Sequence, residues 1–219
     1  MTPVSRTPRP PAPRRNLLLL AALSGCSVLP DRPFQETRRF ALAPERPRRD
    51  PPPPRAPVLL LRSLRAAPGL DARGLQLAGP GGQVELEYWN EWAAPPAELV
   101  EEALRRWLAA SGLFAAVVLP GSRLPASLVL EGELLRLQAD PAARLAHAAL
   151  SVLLLREGAE GQPRILGQFL PEGTAPIPGE TAGDGKPAPA DAAAAMNAAL
   201  GAALAALERE LQKTVRQAR

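Results

Sequence analysis

The chain has a single cysteine, Cys26, and a single histidine, His147, and these two side chains limit its chemistry. A metal site of thiolate and imidazole ligands needs several of them, and there is no second cysteine or histidine to complete one. A disulfide within the chain is excluded for the same reason. Ser151, His147 and Asp140 supply the residue types of a Ser–His–Asp set, but no Gly-x-Ser-x-Gly elbow surrounds the serine. Glu131 and Glu133 stand two apart in a strand-like stretch, so both point to one side, as paired glycosidase carboxylates do. Their neighbours carry no further sign of a sugar site, and a solvated strand face accounts for the pair. His147 lies within an apolar strand run and reads as a satisfied or edge residue. The expectation is a protein that is not an enzyme, with no catalytic residues, no metal and no cofactor.

Cys26 is better explained by what precedes it. Residues 17–23 form a short apolar run, led by Arg6, Arg9, Arg14 and Arg15 with no acid and followed by Ser24 and Gly25. A basic region, a short apolar region and small residues before a cleavage point make an export signal. The run is too short for a membrane span, which needs about 20 apolar residues. Leu23-Ser24-Gly25-Cys26 resembles a bacterial lipobox. In such a motif the thiol is lipidated and the chain is then cut between Gly25 and Cys26. Residues 1–25 are thus expected to be a signal peptide, and residues 26–37 a tether between the lipid and a single domain over 38–215.

The whole chain carries +4, and the signal holds four arginines and no acid, so the remainder is formally neutral. The high pI therefore says little about partners. Binding to nucleic acid would need a basic face with aromatics or a known motif, and neither is present.

The elements that must form the domain follow from periodicity and punctuation. Residues 39–42 alternate and suggest a short strand. Residues 44–57, rich in proline and arginine, cannot be helix or inner strand, because proline lacks an N–H and fixes φ; they read as an extended solvated linker. Residues 58–61 form an apolar strand. Residues 74–77 and 83–88 alternate around Gly79-Pro80-Gly81-Gly82, a hairpin signature. Pro95-Pro96 opens a helix whose Leu99, Val100, Ala103, Leu104, Trp107 and Leu108 share one face, and Ser111-Gly112 closes it. A strand over 114–119 completes a crossover. Residues 127–138 and 144–156 read as an antiparallel hairpin with a bulge near Gly132, and 164–170 as a further strand. Residues 171–190 read as a Gly/Pro loop. Asp191 is positioned to cap a last helix with the stripe Met196, Leu200, Leu204, Leu207 and Leu211, its charged end over 208–219 expected to fray. The fold class is α/β, a mixed sheet with two main helices packed on it.

Tyr88-Trp89-Asn90-Glu91-Trp92 concentrates the only tyrosine and two of three tryptophans between a strand and a helix. Trp92 is suited to packing at the helix entry. Tyr88 and Trp89 are candidates for partner binding. Trp107 and Gly112 are expected to be structural.

The lipobox, Arg39-Phe40-Ala41-Leu42, Tyr88-x-x-x-Trp92-Ala93-x-Pro95-Pro96-x-x-Leu99 and Leu104-x-x-x-Leu108-x-x-Ser111-Gly112-x-Phe114-x-x-Val117 together resemble the ABC-type transport auxiliary lipoprotein family. The resemblance implies a domain similar to an anticodon-binding domain and a place at the periplasmic face of the outer membrane. It implies partners in an MCE-domain protein and ABC transporter or permease subunits, and a homo-oligomer as a plausible state. Ser27 after the cysteine, in place of aspartate, agrees with the outer membrane. The competing classes are an envelope binding module of the cell-wall synthase activator type and a lipoprotein hydrolase. The lipobox generates a direct test. Cys26→Ser should leave an uncleaved, unlabelled precursor in cells fed a radioactive fatty acid, and equal labelling of the two chains would end the lipoprotein reading.

Overall fold

The structure is a computed structural model that describes residues 35–157, 162–180, 183 and 185–217. The signal peptide, Gly25, Cys26 and the tether up to residue 34 lie outside the described residues. Glu36–Arg219 forms one compact unit.

Two long strands form its spine. β7 (Leu128–Asp140) and β8 (Leu145–Arg156) pair antiparallel along their whole length. On the free edge of β7 lie, in turn, β2 (Val58–Leu61), β3 (Arg65–Ala66) and β4 (Gly74–Ala78), all parallel to it. β6 (Ala116–Val118) extends the sheet beyond β2. Beyond β4 come β5 (Val84–Trp92), antiparallel, and then β1 (Arg38–Phe40), parallel to β5 at the edge. The far edge of β8 is shared end to end by β9 (Arg164–Phe169) and β10 (Glu172–Pro176). The result is a mixed ten-stranded sheet with α1 (Pro96–Ala110) and α2 (Pro189–Gln217) packed on it.

Alternation decides which face is covered. Ala146, Ala148, Leu150, Val152 and Leu154 of β8 turn inward and are buried with the α2 stripe of Met196, Leu200, Leu204, Leu207 and Leu211. His147, Ser151 and Leu153 turn to the opposite face. α2 is long and apolar enough to cross a membrane, but its apolar stripe is buried on the sheet. α1 starts on Pro96, whose missing N–H is no loss in a first turn. It stops where Ser111 Oγ donates to the Leu108 carbonyl at 2.7 Å and Gly112 takes a φ of +73°. A Cβ on Gly112 would also sit 2.9 Å from the Pro51 carbonyl, so the position requires glycine twice over.

That contact belongs to a segment which differs from its sequence reading. Residues 44–57 are extended, as prolines demand, but they are not a free linker. Leu42 is buried just before them, Ala43 N–H donates to Asn197 Oδ1 at 2.8 Å, and Asp50 N–H donates to the Ala110 carbonyl at 2.9 Å. The Arg46 side chain, 13% exposed, donates to both Glu208 oxygens at 3.0 and 2.9 Å and to Asp50 Oδ2 at 2.6 Å. Its pKa is raised, first by the Glu208 bond, with burial opposing and Asp50 adding. Trp107 Nε1 donates to the same Glu208 at 2.8 Å. The segment is a strap across both helices, while Arg48, Arg49 and Arg55 stay in solvent.

Four further corrections are local. Residues 171–190 contain β10, which pairs with residues 145–149 of β8 despite its glycine and proline. The register shift of β7 falls between Leu134 and Arg136, not at Gly132. A Cβ at Gly132 would lie 2.7 Å from Leu64 Cδ1 and 3.2 Å from the Ser151 carbonyl oxygen, so a larger residue there would have to displace Leu64. α2 begins at Pro189, with Asp191 inside its first turn and the Ala188 carbonyl accepting from Asp191 and Ala192. The helix continues through its charged end to Gln217; within that end Glu208 bonds Arg46 and Trp107, and Val215 is buried.

Gly173 of β10 marks the closest approach of sheet and helix, since a Cβ there would stand 2.1 Å from the Ala199 carbonyl oxygen and 2.4 Å from Ala203 N. Gly173→Val should therefore destabilise the domain by about 3 kcal/mol. Thr174→Val, on the exposed side of the same strand, should stay within about 0.5 kcal/mol. Denaturant melts that found equal losses would contradict this packing.

Candidate functional site

β5 contains the feature that packing does not explain. In its ladder with β4, Gln76 faces Leu86 and the next registered pair is Gly74 with Glu91. β4 advances two residues while β5 advances five, so residues 87–90 bulge out of the ladder. Beyond the bulge, Trp92 N–H donates to the Arg73 carbonyl at 2.7 Å and the strand resumes. A Cβ on Gly74 would lie 2.7 Å from the Glu87 carbonyl oxygen, so glycine lets the bulge fold over β4.

The bulge presents Tyr88 and Trp89. Tyr88 is 81% exposed and Trp89 38%, and their rings meet edge to face, with centroids 4.9 Å apart and planes at 80°. Val84 and Leu86 on the same strand are exposed as well. Trp92, three residues from Trp89, is 1% exposed and belongs to the core, as does Trp107 at 5%. The bulge therefore separates two tryptophans by function of place: one packs, the other is displayed.

Polar bonds frame the display. Asn90 Nδ2 donates to Glu87 Oε2 at 2.9 Å within the bulge. Arg39 Nε donates to Glu91 Oε1 at 2.8 Å, and Arg73 Nη2 stands 3.7 Å from the same oxygen. The Arg39 bond is the first cause that holds the Glu91 carboxyl below its usual value, with burial opposing and the charge of Arg73 adding. Lys186 reaches back from the loop before α2 to bond Glu85 and stands 3.6 Å from Glu87, and the Glu85 bond raises its pKa. Thr37, Arg39, Arg73, Leu86, Tyr88 and Trp89 line a cleft of about 550 Å³ at this edge. Sequence reading found the two aromatics but not their frame. The available signal was the loss of period-two alternation after Tyr88, where a strand that had been regular stops obeying its pleat.

The other candidates do not assemble. Asp140 Oδ1 accepts from Ala143 N–H at 2.9 Å, in the turn of the hairpin. Ser151 lies four residues along β8 from His147, about 13 Å at strand rise. Burial is the first cause that holds the His147 pKa below its usual value, and Arg136 adds to it, while Asp140 and Glu172 pull the other way. Glu131 and Glu133 do point to one side, lining a shallow concavity of about 580 Å³ on the open face with Arg62, Arg65, Ser151 and Ile165. Arg62 Nη1 donates to Glu131, which makes that carboxylate half of an ion pair.

No family model matches the chain, and no curated protein matches it. Its fold is shared with solved structures. A Xanthomonas campestris protein described under the family model DUF330 superposes with a TM-score of 0.63 over 82% of this chain and 98% of that one, at 21% identity. A chain described as an uncharacterized protein superposes with a TM-score of 0.58 over 80% and 98%, at 14% identity. A Caulobacter crescentus chain described with reserve as a lipoprotein aligns over 55% of this chain and 81% of that one at 20% identity, with a TM-score of 0.34. The first two likenesses establish the fold; the third shares too little geometry to argue from.

The division of the aromatic stretch is testable by stability alone. Trp92→Ala should cost about 3–5 kcal/mol, whereas Tyr88→Ser should change stability by no more than about 0.5 kcal/mol. Comparable losses in urea melts would make Tyr88 a packing residue and remove the site.

Proposed function

We propose that this protein is a non-catalytic lipoprotein subunit of an MCE-type ABC lipid transport system, facing the periplasm from the outer membrane. The observation that carries the reading is the exposed Tyr88–Trp89 pair, held out by a bulge whose surrounding charges are bonded to one another. Such a surface can bind but offers no poised acid, base or nucleophile.

The family resemblance gains weight from where its residues fall. Trp92, Leu104, Leu108 and Phe114 of the quoted pattern are buried, so matching them reflects the fold. Tyr88 of the same pattern is 81% exposed, so packing does not account for it. The lipobox supplies the anchor, and the tether delivers the chain to β1, beside the aromatic bulge.

Affinity purification of the full-length chain from solubilised envelopes tests the assignment. An MCE-domain protein and a permease should co-purify. Recovery of a cell-wall synthase instead, with Cys26 still lipidated, would keep the lipoprotein and discard the transport role.

A further inference from the structure

The occupant of the aromatic bulge follows from chain length and from where the tether ends. β1 runs parallel to β5 with Arg38 opposite Asn90. Thr37, the residue just before β1, lines the same cleft as Tyr88 and Trp89. However it runs, the eleven-residue stretch 27–37 spans at most about 40 Å. The part of the domain closest along the chain to Cys26 is thus the edge that carries its most exposed aromatic side chain.

The chemistry of that edge fits one environment. Tyrosine and tryptophan have apolar bodies with a polar tip and favour the boundary between acyl chains and headgroups. The apolar part is small, two rings with Leu86 and Val84, whereas a stable protein–protein interface takes about 800 Å² from each side. The surrounding charges balance: Arg38, Arg39, Arg73 and Lys186 against Glu36, Glu85, Glu87 and Glu91, several of them already paired. A patch of this kind has no preference for anionic lipid.

We infer that Tyr88 and Trp89 seat in the headgroup region of the bilayer that anchors Cys26, so that the domain rests on the membrane by its β1–β5 edge. The inference rests on Cys26 being the anchored residue. The lipid fixes the distance and the aromatic pair fixes the orientation.

The test uses the full mature chain in phosphatidylcholine vesicles carrying brominated acyl chains, with and without added phosphatidylglycerol. Quenching of tryptophan emission should be seen in the wild type and lost in Trp89→Phe, because Trp92 and Trp107 are buried in the domain. It should be the same with and without phosphatidylglycerol and at high salt. Should Trp89→Phe fold poorly, the double variant Tyr88→Trp, Trp89→Phe moves the reporter to the more exposed position and should be quenched at least as strongly. If mass spectrometry finds no lipid on Cys26, coupling a maleimide lipid to this single cysteine still tests the contact, so failure of the anchor and failure of the contact are told apart. Equal quenching in wild type and Trp89→Phe would overturn the inference. So would quenching that appears only with anionic lipid, or protection of Trp89 by a co-purified protein in place of the vesicle.

Discussion

The antiparallel ladder of β7 with β8 is the constraint on which the domain depends. Twelve registered pairs run from Leu128–Arg156 to Asp140–Leu145. Every other sheet segment attaches to this hairpin or to something that does. β2, β3 and β4 divide one edge; β9 and β10 divide the other. Because side-chain direction alternates along each strand, the hairpin also fixes which face the helices cover. A slip of one residue in β8 would turn Ala146, Ala148, Leu150, Val152 and Leu154 to solvent and His147 and Ser151 into α2. The small residues are as necessary as the large ones: Gly173, Ala175, Ala199 and Ala203 let α2 lie against β10 and β8 at backbone distance.

Glu208 is a second, smaller centre. It accepts from Arg46 and from Trp107, joining the strap, α1 and α2 at one carboxylate. Arg46 returns bonds to Asp50 and to the Ala110 carbonyl, so the proline-rich segment becomes the closure over the C-terminal end of α1. Removing the carboxylate would leave a partly buried guanidinium and an indole N–H in need of partners, a heavier loss than deleting a surface ion pair.

Much of this was legible in the sequence, and the misses share a cause. Period-two alternation marked β4 and β5, long apolar runs on either side of Asp140-Pro141 marked β7 and β8, and the 3.6-residue stripes marked both helices. β10 was hidden because Glu172-Gly-Thr-Ala-Pro176 is shaped by the helix that lies close against it: Gly173 and Ala175 face that helix, and Thr174 alone carries a strand signal beside a glycine and a proline. The strap was hidden because proline says what a segment cannot be but not what it touches; its partner Glu208 lies 162 residues away. At the candidate site, Tyr88 and Trp89 stood out by type, whereas Arg39, Arg73 and Lys186 acquire meaning only through contacts that the fold creates.

The parallel pairing of β1 has a mechanical consequence. Were Cys26 anchored as proposed, tension on the chain would enter the domain through residue 37 and pass along β1. In the parallel arrangement with β5, the registered positions at Arg38, Arg39 and Phe40 share such a load in shear rather than opening one after another. Behind them the load meets buried Leu42, the Ala43–Asn197 bond and the Arg46–Glu208 fork in succession. The N-terminal edge is thus built like a cleat: short and weak to peeling from the side, strong to a pull along its length.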